Sequence, residues 1–394
     1  MTRWERKLDS WVAEGLLDAA AAARIRDFES AKGEGGGLHG PVRIAVGLGA
    51  LLLAASVLLF VAAHWDGIGP GARFLLVLSM VGGFHACAAL VHDRFPVLAT
   101  SLHAVGTASL GAGIALAGQI FNLEEHWPGA ILLWALGAGL GWTILRDTPQ
   151  AFFFAILAPA WLASEWQLAS AGSAHGSAIL TEGLLVLALT YFGADGGAAG
   201  ATRPVRRALE WLGAGAVIPL AFVVAIFGEG RAAGFAAPHE LSATTEALGW
   251  ALAYGLPLVL AFVLRRKAAI WNLFAAAWVY ALGRVSSLQV HAWLGGLDGR
   301  PAQGADGKAL LLYGLCALGA IYLIAWGMRE TSVRRVNAGV TAFAATVVAF
   351  YFSNVMDRLD RSASLLGMGL LFLLGGWLIE RARRRLLARM GAGS

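Results

Sequence analysis

Residues 72–121 read ARFLLVLSMVGGFHACAALVHDRFPVLATSLHAVGTASLGAGIALAGQIF. Two apolar runs, 72–91 and 97–121, are joined by a short charged turn centred on Arg94. Each run has about the 20 residues that a helix needs to cross a hydrocarbon core, and a joint this short folds the two back on each other as an antiparallel helical hairpin. Outward from this hairpin the pattern recurs near 44–63, 129–145, 150–168, 176–193, 209–227, 247–264, 269–290, 309–328, 336–352 and 365–380. The expected fold is therefore all-α, a polytopic transmembrane helical bundle of about 12 spans.

Composition agrees with this reading. Of 394 residues, 58% are hydrophobic and 14% charged, against roughly 45–50% and 25% in soluble domains; the mean hydropathy is +0.66. No soluble core absorbs that imbalance. Secreted, collagenous, disordered and disulfide-framework classes are excluded, and the two cysteines, Cys87 and Cys316, both fall inside apolar runs.

The net charge of +5 would suggest nucleic acid in a soluble chain, but the bases sit between spans. Twenty-three of the 30 Lys and Arg fall on the side that carries both termini, six on the other, and Arg284 lies within a span. By the positive-inside rule both termini are expected in the cytoplasm, with the bilayer as partner and no nucleic acid.

The first 40 residues are amphipathic rather than apolar. Trp4, Leu8, Trp11 and Val12 recur at helical spacing, Gly15 suits a helix C-cap, and Asp18 suits the N-cap of a second helix through Ile25 and Phe28. The expected organisation is a cytoplasmic helical hairpin and Gly-rich linker over 1–40, a six-span half over 41–193, a cytoplasmic loop over 194–208, a second six-span half over 209–380 and a basic tail over 381–394. A hairpin this small buries little surface alone, so it is expected to dock on lipid, on the cytoplasmic loops, or on another membrane protein.

The pattern Trp11, Gly15, Leu17 followed by Ala22 and Ile25, the Ala63-His64-Trp65-Asp66 turn followed by Arg73, and the run Gly118 to Leu123 with Trp127 resemble the DUF2157 family of predicted prokaryotic membrane proteins. The resemblance spans roughly the first 150 residues of the 394, with His64 standing where the family pattern has Asn. It implies a bacterial inner-membrane protein and supplies no activity.

No catalytic signature is present: there is no Gly-x-Ser-x-Gly elbow, Walker loop, His-Glu-x-x-His or dinucleotide fingerprint. No enzyme activity, cofactor or metal is expected. The informative residues are ionisable groups inside spans, which are costly there unless paired or hydrated. Glu165, Glu182 and Arg284 share the outer third of their spans, and Arg284 can meet either acid. His85 and His103 are each nine residues from Arg94, so the hairpin brings both to one depth, whereas helix rotation decides whether they face each other. On the outer face His64, Asp66, Glu124, Glu125, His126 and His291 form an acidic and imidazole-bearing surface.

These features fit transport or channelling of a small solute or lipid-linked molecule, with Glu165, Glu182, Arg284, His85 and His103 as polar-cavity candidates. The other reading is a non-catalytic structural or regulatory subunit of a membrane complex. Glycines at Gly106, Gly111, Gly113, Gly118, Gly137 and Gly141 predict close helix crossings, and Pro159, Pro219 and Pro257 fall inside spans.

Overall fold

The computed structural model describes residues 8, 11–34, 69–120, 126–195, 202–226, 241–287 and 304–355, with single positions between 45 and 59 and between 366 and 384. The chain forms two compact units, residues 1–120 and 121–394.

In the first unit, Gly15 adopts φ +71°, a left-handed conformation suited to glycine. The Leu16 N–H donates to the Trp11 carbonyl at 2.9 Å, closing the helical turn that precedes it. Asp18 then accepts from the Ala21 N–H, the N-cap arrangement expected from sequence, and opens α1 (Ala19–Glu34). The helix runs into the glycine-rich stretch as far as Glu34. Helices α2 (Pro70–Val91) and α3 (Pro96–Ile120) form the expected hairpin. Gly106 and Gly113 make the close approach possible: a Cβ on Gly106 would stand 2.8 Å from His85 Nε2, and one on Gly113 would stand 2.6 Å from a Val77 methyl. Gly118 has open space, so that part of the expected glycine stripe contributes no contact among the described residues.

The second unit contains α4 (Pro128–Leu145), α5 (Thr148–Ala169), α6 (Ala174–Phe192), α7 (Arg203–Ile226), α8 (Ala243–Arg265), α9 (Ile270–Ser287), α10 (Gly304–Arg329) and α11 (Val333–Phe350). Helix pairs α4/α5, α6/α7 and α10/α11 pack as sequential hairpins, and α6 also takes α8 and α9 against its sides. Leu185, Leu189 and Phe192 of α6, Val279 and Leu282 of α9, and Trp326 of α10 are at the centre of the largest core.

What is buried and what is exposed are inverted relative to a water-soluble protein. Leu90, Leu140, Val263 and Phe274 point outward, while Gln150, Glu182, Thr190, Asn272 and Arg335 are buried. Large apolar outer faces of this kind are rare in water and natural in lipid. Polar interior groups also repair the backbone. Pro159 has no N–H to give the Ala155 carbonyl one turn earlier, and the Tyr191 hydroxyl donates to that carbonyl at 2.9 Å.

Among the described residues nine helical segments are long and apolar enough to cross a membrane. One of them, Ala243–Ser287, is 45 residues long and holds both α8 and α9, separated by the 3-10 turn Arg266–Ala269, where Arg266 has φ +50°. Tyr254 of α8 and Arg284 of α9 both reach Glu182, as a folded-back pair requires. The expected count of about 12 is therefore not reached within the described residues; the spans near 44–63 and 365–380 lie outside them apart from single positions.

Candidate functional site

In the α2–α3 hairpin, His85 Nδ1 and His103 Nδ1 are 2.8 Å apart, and the ring centroids are separated by 5.1 Å. His103 is 7% exposed and His85 half-buried. The local cause is Gly106, one turn beyond His103: its missing side chain leaves the space in which the His85 imidazole lies. A neutral imidazole has one N–H donor and one bare acceptor nitrogen. The contact therefore requires one Nδ1 to carry hydrogen and the other to present its lone pair. It accommodates a neutral pair or a singly protonated pair. Two fully protonated rings would put two N–H donors face to face.

In the second unit, Glu182 on α6 is 1% exposed. Its Oε2 accepts from the Tyr254 hydroxyl at 2.6 Å and its Oε1 from Arg284 Nη2 at 3.2 Å. The Arg284 guanidinium also stands over the rings of Trp250, at 5.1 Å, and Tyr280, at 5.3 Å. Gly283 keeps the path open, since a Cβ there would collide with the Glu182 carboxylate. Of the two acids open to Arg284 from sequence, the structure brings it to Glu182. Glu165 is occupied elsewhere: His126 Nε2 lies 2.8 Å from its Oε1, and Trp161 Nε1 donates to the same oxygen at 2.9 Å.

His126 is thus the outer-face candidate that acquires a described partner. His64, Asp66, Glu124, Glu125 and His291 lie outside the described residues. Among the described residues no group of three His, Cys, Asp or Glu side chains is arranged to hold a metal ion.

A third constellation was invisible as a site in the sequence. Glu330, in the turn after α10, pairs through one carboxylate oxygen with Arg265 of α8 and through the other with Arg335 of α11. The Arg265 and Arg335 guanidiniums lie 4.9 and 4.8 Å from the ring centre of the fully buried Trp326. Arg265 also donates to Asn272 Oδ1 at 2.8 Å, and Arg335 donates at 3.4 Å to the carbonyls of Phe192, the last residue of α6, and of Gly193, which caps it. Nearby, Arg334 pairs with Glu210 of α7 and stacks over Trp211. In sequence these arginines read as topology markers in loops. The usable signal was a lone acid, Glu330, set among bases next to a tryptophan one turn earlier.

Two hollows stand out among the described residues. One, of about 30 Å³, is lined by Val217, Ala221, Trp278, Leu323 and Thr346 among others. The other is an open groove along Arg203, Pro204, Arg207, Ala208 and Trp211. Glu165, Glu182 and Arg284 line neither of them.

No curated protein and no solved structure matches the chain. A family model does: residues 9–152, the stretch that contains the α2–α3 hairpin and its histidine pair, match the predicted membrane protein family DUF2157.

Proposed function

We propose that this multi-pass membrane protein is a proton-responsive regulatory subunit, without catalytic activity of its own, whose sensing element is the imidazole pair of His85 and His103. The observation that carries the reading is the 2.8 Å Nδ1 to Nδ1 contact between two spans. Imidazole is the side chain whose ordinary charge change falls between pH 5 and 8, and a second proton converts this contact from a hydrogen bond into a repulsion. The hairpin then has a reason to loosen on acidification. The skewed distribution of bases supports cytoplasmic termini, and in that orientation the N-terminal hairpin is accessible to a partner membrane protein from the cytoplasmic side.

Movement of a small solute or lipid-linked molecule is the second reading, favoured by the carboxylate of Glu182 inside a bundle of spans. Against it, Glu182 is held by Tyr254 and Arg284 and borders neither hollow.

Proteoliposomes with a trapped pH dye and paired spin labels on α2 and α3 separate the two. A sensor changes the label separation after a pH step without net proton flux, and His85→Gln abolishes that change. Proton flux that His85→Gln removes would support a conducting role, and a label separation indifferent to pH would overturn the sensor.

A further inference from the structure

The groove at the start of α7 has a composition that neither the helix packing nor the histidine pair explains. Arg203, Arg207 and Trp211 recur every four residues and so form one stripe on the helix, and all three are exposed; Pro204 and Ala208 line the floor between them. α7 is long and apolar enough to cross a membrane, and from Trp211 to Ile226 it carries no charged residue, which puts the basic end of the stripe at the boundary between headgroups and acyl chains.

The two guanidiniums have no bonding partner among the described residues, although acids are close at hand. Glu210, on the same helix, is held by Arg334. Glu330 is shared by Arg265 and Arg335. Asp195, in the turn after α6, has a buried oxygen with no hydrogen bond and reaches neither arginine. The third base of the segment, Arg206, donates to the Leu264 carbonyl at 2.6 Å, so it too has no carboxylate. Glu210 and Glu330 are thus taken by other arginines, and among the described residues Arg203 and Arg207 are left as an open pair of positive charges one helical turn apart. Arg334 stacked on one side of Trp211, at 4.7 Å, fixes the indole as a wall.

We infer that this groove binds the phosphate of an anionic phospholipid. Arg203 and Arg207 supply N–H donors in the fork geometry that suits phosphate oxygens, the first-turn N–H groups of α7 add a favourable dipole, and Trp211 lies along the first part of an acyl chain. A free phosphate ion shares the headgroup chemistry but makes no use of the tryptophan or of the adjoining apolar helix face. Basic pockets at the membrane boundary are a recurrent means of headgroup recognition.

The test uses the full chain in a non-ionic detergent, with retention of phosphatidylglycerol and phosphatidylcholine measured by native mass spectrometry. The unmodified protein retains phosphatidylglycerol in preference to phosphatidylcholine. The double replacement Arg203→Gln and Arg207→Gln lowers phosphatidylglycerol retention by about tenfold or more, as expected from about 1 kcal/mol per base. The control, Arg266→Gln with Lys267→Gln, removes the same charge from exposed positions in the turn that follows α8 and leaves retention within about twofold. Both variants are checked for an unchanged thermal midpoint, since all four side chains are exposed. Equal losses in both variants, or no loss in the first, overturn the site. Displacement of the lipid by millimolar inorganic phosphate would overturn the assignment to lipid.

Discussion

Arg284 Nη2 lies 3.2 Å from Glu182 Oε1 across the α6–α9 contact, and the two residues are 102 positions apart in sequence. The acid is 1% exposed and the arginine 36%. The carboxylate thus depends on its partners, whereas the guanidinium keeps part of its surface exposed. Replacing Arg284 with Ala leaves the buried carboxylate with the Tyr254 hydroxyl among the partners described above. Loss of a buried partner costs about 3–5 kcal/mol, and the exposed side of Arg284 reduces this to about 1–3. Glu182→Gln combined with Arg284→Ala should cost less than the two single changes added together. Thermal melts of the four proteins in one detergent measure the coupling, and strict additivity would mean that the pair contributes no net energy.

Two glycines of α7, two residues apart, should respond oppositely to alanine. A Cβ on Gly213 meets backbone atoms of Phe192 and Ala188 on α6, which no rotamer change can move, while Gly215 has open space. Gly213→Ala should lower the thermal midpoint by several degrees. Gly215→Ala should leave it unchanged or raise it slightly, because alanine is the better helix former by about 1 kcal/mol.

Glu330→Gln tests the buried arginine clamp. The amide removes the negative charge that compensates two guanidiniums whose side chains are only 2% and 1% exposed, so a loss of about 3 kcal/mol or more is expected. Arg335→Lys should not preserve stability, since one ammonium cannot bond Glu330 and the Phe192 and Gly193 carbonyls in the guanidinium's planar geometry. Unfolding of both variants in graded denaturing detergent provides the comparison.

The depth of the histidines was legible in the sequence because a tight turn fixes it: nine residues on either side of Arg94 give one level. Their facing was not legible, because the α2 and α3 runs are apolar all round and mark no preferred side. What sets it is Gly106, which clears the seat of His85. The same limit explains why Arg284 could be matched to two acids from sequence but to one only in the fold, since the choice depends on α6 rather than α5 packing against α9. The pairing of His126 with Glu165 joins residues 39 positions apart across the α4–α5 hairpin, and no periodicity announces it. Glu330 and its arginines were hidden for another reason: hydropathy treats a charged interhelical turn as solvent-facing, whereas this one is folded back over Trp326.

Gly106→Ala should disturb the hairpin at one point. Its Cβ would stand 2.8 Å from His85 Nε2, so the ring must swing and the bond to His103 is lost. The expected result is a stability loss of about 1–3 kcal/mol at neutral pH that shrinks on acidification, where the unmodified pair has lost its hydrogen bond as well. Melts of Gly106→Ala and the unmodified protein across pH 5 to 8 measure the difference, and a penalty independent of pH would mean that only packing is affected.

The most direct test of a proton-responsive pair is ¹⁵N NMR of histidine-labelled protein in bilayers, followed from neutral to acidic pH. The account predicts a scalar coupling between the Nδ1 atoms of His85 and His103 at neutral pH. It also predicts two separated protonation steps, with the coupling lost at the second, and loss of the two-step behaviour in His103→Gln. Two imidazoles that titrate independently, with no coupling at any pH, would contradict it.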